Sequence, residues 1–369
     1  MTAARKSPHA LIMAGGTGGH VFPALAVAEA LRQRDWQLSW LGTAQGIEAR
    51  LVPERGITLH TLPVAGWRGK RLLSRLAAPW RLSASLWAAL ALMLRLRPQV
   101  VLGFGGFASG PGGLMAAALG RPLLIHEQNA VAGMTNRWLA RVADQVLAGF
   151  PDSFPENVAV STVGNPVRSA IADLPAPEQR WLGRDGPLRL LVLGGSLGAL
   201  RLNQVVPAAL ALLPAAPLVR HQTGTRTLEA AQTQYAQAGV DAEIVPFIED
   251  MAAAYAWADV VVCRAGALTV AEIAAAGVPA LFVPYPHAVD DHQTANAREL
   301  VQAGAAWLLP ETELTAESLA ASLGALTRDD CLERGRQARL RARIDATDRL
   351  VAACEAALPK AWHDWRKQA

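Results

Sequence analysis

Residues 10–31, ALIMAGGTGGHVFPALAVAEAL, and residues 189–210, RLLVLGGSLGALRLNQVVPAAL, are two versions of one unit. Each begins with a continuous apolar run, turns through paired glycines and a hydroxyl residue, and continues as an Ala- and Leu-rich helix. Gly15, Gly16 and Thr17 fall on Gly194, Gly195 and Ser196. A strand that is apolar at every position is covered on both faces, as in a parallel sheet lying between helices. The alternation recurs at Gln99–Leu102 followed by Gly112–Leu119, and at Val260–Cys263 followed by Leu268–Ala276. The expected fold class is therefore α/β, with two tandem Rossmann-like domains, each built on a parallel sheet.

At 369 residues the chain is long enough for two cores. The stretch 163–187 carries Pro166, Pro175, Pro177 and Pro187 and reads as a linker. The expected domains are 1–165 and 166–344, with a helix at about 345–369 crossing back onto the first. Half the residues are apolar and 18% are charged, which excludes a disordered chain. A net charge of +4 is too small for a nucleic-acid partner, but it is unevenly spread: residues 1–165 carry +8 and the remainder −4. Cys263, Cys331 and Cys354 are odd in number and lack CxxC spacing, so neither a disulfide framework nor a zinc ribbon is expected, and a reducing compartment fits. The first apolar run enters a glycine turn instead of a cleavage site. The uncharged run Leu82–Leu94 falls short of the about 20 residues needed to cross a bilayer.

Glycine at strand-to-helix turns lets backbone N–H groups approach a ligand, and the helix start that follows favours anions. Four such turns occur: GGTGGH (15–20), GFGGFASGPGG (103–113), GGSLGA (194–199) and RAGALTVAE (264–272). Any one alone is equally well a simple tight turn. None has the G-K-[ST] of a nucleotide P-loop. Two short patterns keep other chemistries open. Gly103 to Ala108 fits GxGxxA, with Glu127 at a suitable distance for a nicotinamide dinucleotide. Gly194 to Gly198 fits the GxSxG of serine hydrolases, with His287 or His292 available downstream, although this leaves the duplicate Thr17 turn unexplained. His287, Asp290, Asp291 and His292 cluster without the HExxH spacing of a zinc site and read as a polar loop, so no metal and no cofactor is expected. A bound diphosphate would then be neutralised by helix starts and by Arg168 or Arg264.

Taken together, AGGTGGHVFPALA (14–26), WLGT (40–43), GFGGFASGPGG, HEQNAVAGMTNR (126–137), GNPVR (164–168), GGSLGA, DVVVCRAGALTVAEIAAAG (259–277) and HQTANA (292–297) resemble the MurG family of bacterial glycosyltransferases. These are undecaprenyl-diphospho-muramoylpentapeptide β-N-acetylglucosaminyltransferases of peptidoglycan synthesis, and the resemblance spans nearly the whole chain. It implies a GT-B arrangement, with two Rossmann-like domains facing a cleft. It also implies inverting transfer of N-acetylglucosamine from UDP-N-acetylglucosamine to the muramoyl 4-hydroxyl of the undecaprenyl-linked acceptor lipid. By resemblance Ile248 meets the uracil through its backbone and Glu272 accepts the ribose hydroxyls. The substrate-binding run is Ala267, Leu268, Thr269, Val270 and Ala271, whose first three residues join Ser196 and Arg168 at the diphosphate, while Gln293 reads the sugar. Thr17, Gly18, Gly19, His20 and Asn129 are assigned to the acceptor side. His20 is the candidate general base and Glu127 a second candidate; His20 serves equally as a helix cap or a diphosphate ligand. Leu197, Phe107 and Ala265 depart from the family's usual glutamine, tyrosine and serine. The alternatives are a related transferase with another nucleotide sugar or acceptor, and a nucleotide-sugar-binding protein without catalysis.

Residues 66–98 carry Arg68, Lys70, Arg71, Arg75, Arg81, Arg95 and Arg97 with no acidic residue, together with Trp67, Trp80 and Trp87. Such a stretch suits an anionic membrane surface, or else a packed helix with arginines at its ends. Leu86–Leu94 is expected to be buried and Trp67–Trp80 exposed. A lipid-linked acceptor supplies the reason for the surface. It implies peripheral attachment at the cytoplasmic face of the cell membrane, beside other cell-wall synthesis proteins.

Overall fold

The structure is a computed structural model that describes residues 7–62, 78–195, 198–286, 291–362 and 365. It divides into two compact units, Met1–Pro166 with Asp345–Ala369, and Val167–Ile344.

In the first unit β1 (His9–Met13), β2 (Gln37–Gly42), β3 (Thr58–Thr61), β4 (Val100–Gly103), β5 (Leu123–Glu127), β6 (Gln145–Ala148) and β7 (Val160–Thr162) form one sheet in the order β3-β2-β1-β4-β5-β6-β7. Every pairing is parallel. Side chains alternate across the pleat, and here both sides are dry. Ile12, Leu102 and Leu124 face the helix Gly18–Gln33 through Val21, Leu25, Ala28 and Leu31. Leu11, Met13, Val101 and Ile125 face the opposite layer of Ala89, Met93, Ala116 and Leu139. Each such leucine or isoleucine contributes roughly 1.5–3 kcal/mol through removal from water. The helix Ala346–Ala356 lies against Gly18–Gln33, its Leu350, Val351 and Cys354 completing the first cluster.

The helix Ala78–Leu96 corrects one expectation. Only one stripe of it is buried, through Ser85, Ala89, Leu92 and Met93, while Trp80 is 81% exposed, Trp87 71% and Leu94 54%. The reason is helical periodicity: positions 85, 89, 92 and 93 share a face, and 80, 87 and 94 recur on another. Trp67, Arg68, Lys70, Arg71 and Arg75 lie outside the described residues. No described helix is long and apolar enough to cross a membrane.

In the second unit β8 (Arg189–Leu193), β9 (Leu218–Gln222), β10 (Glu243–Val245), β11 (Val260–Cys263), β12 (Ala280–Phe282) and β13 (Ala306–Leu308) form a second parallel sheet, ordered β10-β9-β8-β11-β12-β13. Leu190 and Val192 pack under Leu202, Val205, Val206 and Ala209 of the helix Leu200–Ala211. The proline-rich stretch after Pro166 is not a loose tether. It forms the short helices Ser169–Ala172 and Pro177–Arg180, buries Trp181, and sends Arg184 to the fully buried Asp259 at 2.5 Å. Prolines at helix starts explain why a helical segment reads as a linker.

Candidate active site

Both sheets run out from their first strand, β1 or β8, and then reverse to β4 or β11 on its other side. At that reversal the connections at the carboxyl ends of two neighbouring strands diverge, and α/β folds bind ligands there. All four glycine turns of the sequence fall at these two points, after β1 and β4 in the first unit and after β8 and β11 in the second.

In the first unit the turns after β1 and β4 lie against each other. A Cβ on Gly106, whose φ is +87°, would sit 2.5 Å from the Gly15 carbonyl oxygen, so only glycine permits the approach. Thr17 occupies the N-cap of Gly18–Gln33, with Gly18 and Gly19 in the first turn and Pro23 inside the helix. His20 Nδ1 lies 3.3 Å from Thr17 Oγ1. Its ring fills the space that a side chain on Gly105 would take, a Cβ there lying 3.2 Å from His20 Cδ2. Burial pushes the His20 imidazole below its ordinary value, while Glu127, the Gly15 carbonyl and Glu48 oppose that shift.

Glu127 ends β5, buried. Its Oε1 accepts from the backbone N–H and side-chain amide of Asn129 at 3.0 and 3.1 Å. Its Oε2 accepts from the Gly133 N–H and the Asn136 amide at 3.0 and 2.9 Å. Four donors fix this carboxylate, which in turn fixes the 127–136 loop. Beside it His126 is held neutral, its pKa lowered to about 4 by burial, with Nε2 donating to the Gly164 carbonyl and Nδ1 accepting from Gln128.

In the second unit Gly266 caps the helix Ala267–Ala276, which carries Leu268, Thr269, Val270, Ala271 and Glu272. Glu272 Oε1 receives Arg168 Nε at 3.1 Å and Nη2 at 2.8 Å, and Oε2 receives the Tyr255 hydroxyl at 3.2 Å. Burial raises the Glu272 carboxyl above its usual range, and Arg168 then Tyr255 work against that rise. Arg168 and Glu272 are thus brought to each other. Gln293 Oε1 accepts from the Ala265 and Tyr285 backbone at 3.2 and 2.9 Å. Ile248 follows β10 next to Phe247, which is 61% exposed. Arg264 is committed to Glu311 and to the carbonyls of Val283 and Pro284. Ser196, Leu197, His287 and Asp290 lie outside the described residues. Among the described residues no group of three His, Cys, Asp or Glu side chains is placed to hold a metal.

Sequence reading missed Glu48, Gln222, Asn136 and Tyr255. Glu48, in the connection after β2, and Gln222, at the end of β9, each brace a glycine turn, Glu48 through the Gly16 N–H at 3.0 Å and Gln222 through the Gly195 N–H at 3.0 Å. The one available signal was Asn136, inside the HEQNAVAGMTNR motif.

Two such units, each a parallel sheet with paired glycine turns at its order reversal, make a tandem Rossmann-like fold of the GT-B type. The glycosyltransferase family 28 N-terminal domain matches residues 10–148 and the family 28 C-terminal domain residues 189–350. A Chromohalobacter salexigens protein named UDP-N-acetylglucosamine--N-acetylmuramyl-(pentapeptide) pyrophosphoryl-undecaprenol N-acetylglucosamine transferase is 58% identical over 95% of this chain and 97% of its own length. A protein of the same name from Alkalilimnicola ehrlichii is 60% identical over 86% and 90%. The crystal structure of Acinetobacter baumannii MurG superposes with a TM-score of 0.84 at 43% identity, covering 95% of this chain and 99% of that one. The chain belongs to the MurG family of glycosyltransferases, within glycosyltransferase family 28.

Proposed function

We propose that the chain transfers N-acetylglucosamine from UDP-N-acetylglucosamine to undecaprenyl-diphospho-muramoylpentapeptide, in peptidoglycan synthesis. The observation that carries this reading is the coincidence of two independent facts. Relatives named for this reaction match almost end to end, and segments 17–20 and 267–272 follow β1 and β11, strands that flank the order reversals, a position at which such folds bind ligands.

The second unit takes the donor. Ile248 receives the uracil, Glu272 the ribose hydroxyls, and the start of Ala267–Ala276 with Arg168 and Ser196 the diphosphate, where backbone dipoles absorb its charge. Gln293 offers its amide nitrogen to the sugar. The first unit takes the acceptor through Thr17, Gly18, Gly19 and Asn129. The muramoyl 4-hydroxyl oxygen forms a bond to the anomeric carbon as the bond to the diphosphate breaks; its proton passes to His20, UDP departs, and the anomeric centre inverts. Glu127 holds the loop that bears Asn129 and favours the protonated imidazole as it forms. The exposed Trp80 and Trp87, with the basic composition of 66–98, support a peripheral enzyme that meets an anionic membrane surface at the cytoplasmic face, beside the lipid acceptor.

The test is transfer of labelled N-acetylglucosamine to the lipid acceptor by the purified chain, with UDP-glucose as competitor donor. The expected result is labelled lipid from UDP-N-acetylglucosamine, a loss of about 100-fold or more in His20→Ala, and little glucose transfer. Preference for another donor would move the assignment to a related transferase.

A further inference from the structure

The two glycine turns that align in sequence rest on different chemistry. Beneath the first, Glu48 is fully buried. Its Oε2 accepts from the Gly16 N–H at 3.0 Å, and its Oε1 from the Thr43 N–H at 2.9 Å and the Thr43 hydroxyl at 2.7 Å. All three donors are neutral, so among the described residues no cation in its hydrogen-bonding shell cancels its charge. Beneath the second turn the equivalent brace is an amide. Gln222 Oε1 accepts from the Gly195 N–H at 3.0 Å, while its Nε2 donates to the carbonyls of Gly195 at 2.9 Å and Pro246 at 3.2 Å. The braces come from segments on the same side of each sheet order, Glu48 from the first residue of the helix Glu48–Glu54 that follows β2, the neighbour of β1, and Gln222 from the last residue of β9, the neighbour of β8.

The difference decides the sign of the field. A helix start carries about +0.5 of an elementary charge, which a carboxylate beneath it outweighs and an amide leaves intact. We propose that Glu48 is a positioning residue that sets the charge of the acceptor-side turn. It pins the Gly15–Gly16 backbone, denies the start of Gly18–Gln33 to a nucleoside diphosphate, and favours proton uptake by His20. The neutral brace Gln222 leaves the donor-side turn attractive to the diphosphate. This inference rests on the function proposed above. Among the described residues, the groups that act on His20 are Glu127 from the end of β5 most strongly, then the Gly15 carbonyl, then Glu48, with the Thr17 hydroxyl 3.3 Å from Nδ1 and the Gly105 backbone against its ring. Among these the two carboxylates are the only charges, and both stabilise the imidazolium.

Two isosteric substitutions test it. Glu48→Gln removes the charge and lowers the His20 pKa, so the acid limb of kcat/KM for the lipid acceptor moves to lower pH, by about half a unit or more. The maximal rate falls as the base weakens, and KM for UDP-N-acetylglucosamine stays within about twofold of wild type. Glu48→Asp keeps the charge and leaves the limb in place, which separates charge from packing if Glu48→Gln folds poorly. Gln222→Glu transposes the carboxylate to the other turn, and calorimetry is expected to show UDP binding weakened about tenfold or more with uridine changed far less. An unmoved acid limb in Glu48→Gln, or equal losses for UDP and uridine in Gln222→Glu, overturns the inference. A wild-type chain that transfers no N-acetylglucosamine overturns instead the function beneath it.

Discussion

Replacing Glu272 by glutamine separates a ribose ligand from a structural carboxylate. In the structure its side chain is 16% exposed, with Arg168 on Oε1 and Tyr255 on Oε2. Glutamine keeps the size and can turn its oxygen to Arg168 and its nitrogen to the Tyr255 hydroxyl. Because the Arg168 side chain is 52% exposed, the lost ion pair costs little, and stability should change by no more than about 1 kcal/mol. Ribose binding is different, since an amide supplies one acceptor where the carboxylate supplies two charged ones. A hydrogen bond to a charged group contributes about 1.5–3 kcal/mol, so UDP affinity should fall about 10- to 150-fold. Calorimetry with UDP and 2′-deoxy-UDP reads the effect on both proteins. Wild type should prefer UDP by a factor of that order, and Glu272→Gln should bind the two alike. Because burial raises this carboxyl and binding needs it ionised, UDP affinity should also fall with acidification at a pH above the ordinary carboxylate range, and more in wild type than in Glu272→Gln. A Glu272→Gln enzyme that still prefers UDP over its deoxy analogue would refute the ribose assignment.

Gly105→Ala places a Cβ 3.2 Å from His20 Cδ2 at a φ of +97°; the expected outcome is a fall in kcat of at least about tenfold, with KM for UDP-N-acetylglucosamine unchanged, measured by steady-state kinetics. Asp259→Asn leaves Arg184 and Arg328 without their carboxylate in the interior of the second unit, and chemical denaturation should show a loss of about 3–5 kcal/mol. His126 has its pKa lowered by burial to about 4 and His221 to about 3. Unfolded histidines protonate near 6.5, so on acidification the unfolded chain takes up protons first. Stability is complete above about pH 6.5 and should fall between there and pH 4, by about 3 kcal/mol from His126 alone. Thermal midpoints that stay level over that window would contradict buried neutral histidines.

The layered fold was legible because β1 and β8 are continuously apolar. In the structure that apolarity is consumed on both faces, as with Ile12 on one side and Leu11 and Met13 on the other. The glycine turns were legible for the same local reason, since strand, turn and helix start are contiguous. What could not be read is what holds the turns from a distance. Glu48 looks like any solvated helix residue, yet its carboxylate reaches back across the turn to Gly16. Arg168 and Glu272 are 104 positions apart and meet only because the segment after Pro166 folds onto the second unit. Composition misjudged Leu86–Leu94 because apolar content does not show which face a helix buries, and Trp87 and Leu94 stand outside. Asn136, which ties Glu127 to the His126 carbonyl, lay inside a quoted motif but carried no sign of its partner.

Everything turns on where the nucleotide sits. A crystal structure with UDP should place the ribose hydroxyls on Glu272 and the diphosphate against the turn of Gly194 and Gly195 and the N–H groups that open the helix Ala267–Ala276. Electron density for UDP at the Gly15–Gly19 turn, with that helix start and Glu272 bare, would show that the charge reading of the two turns is reversed.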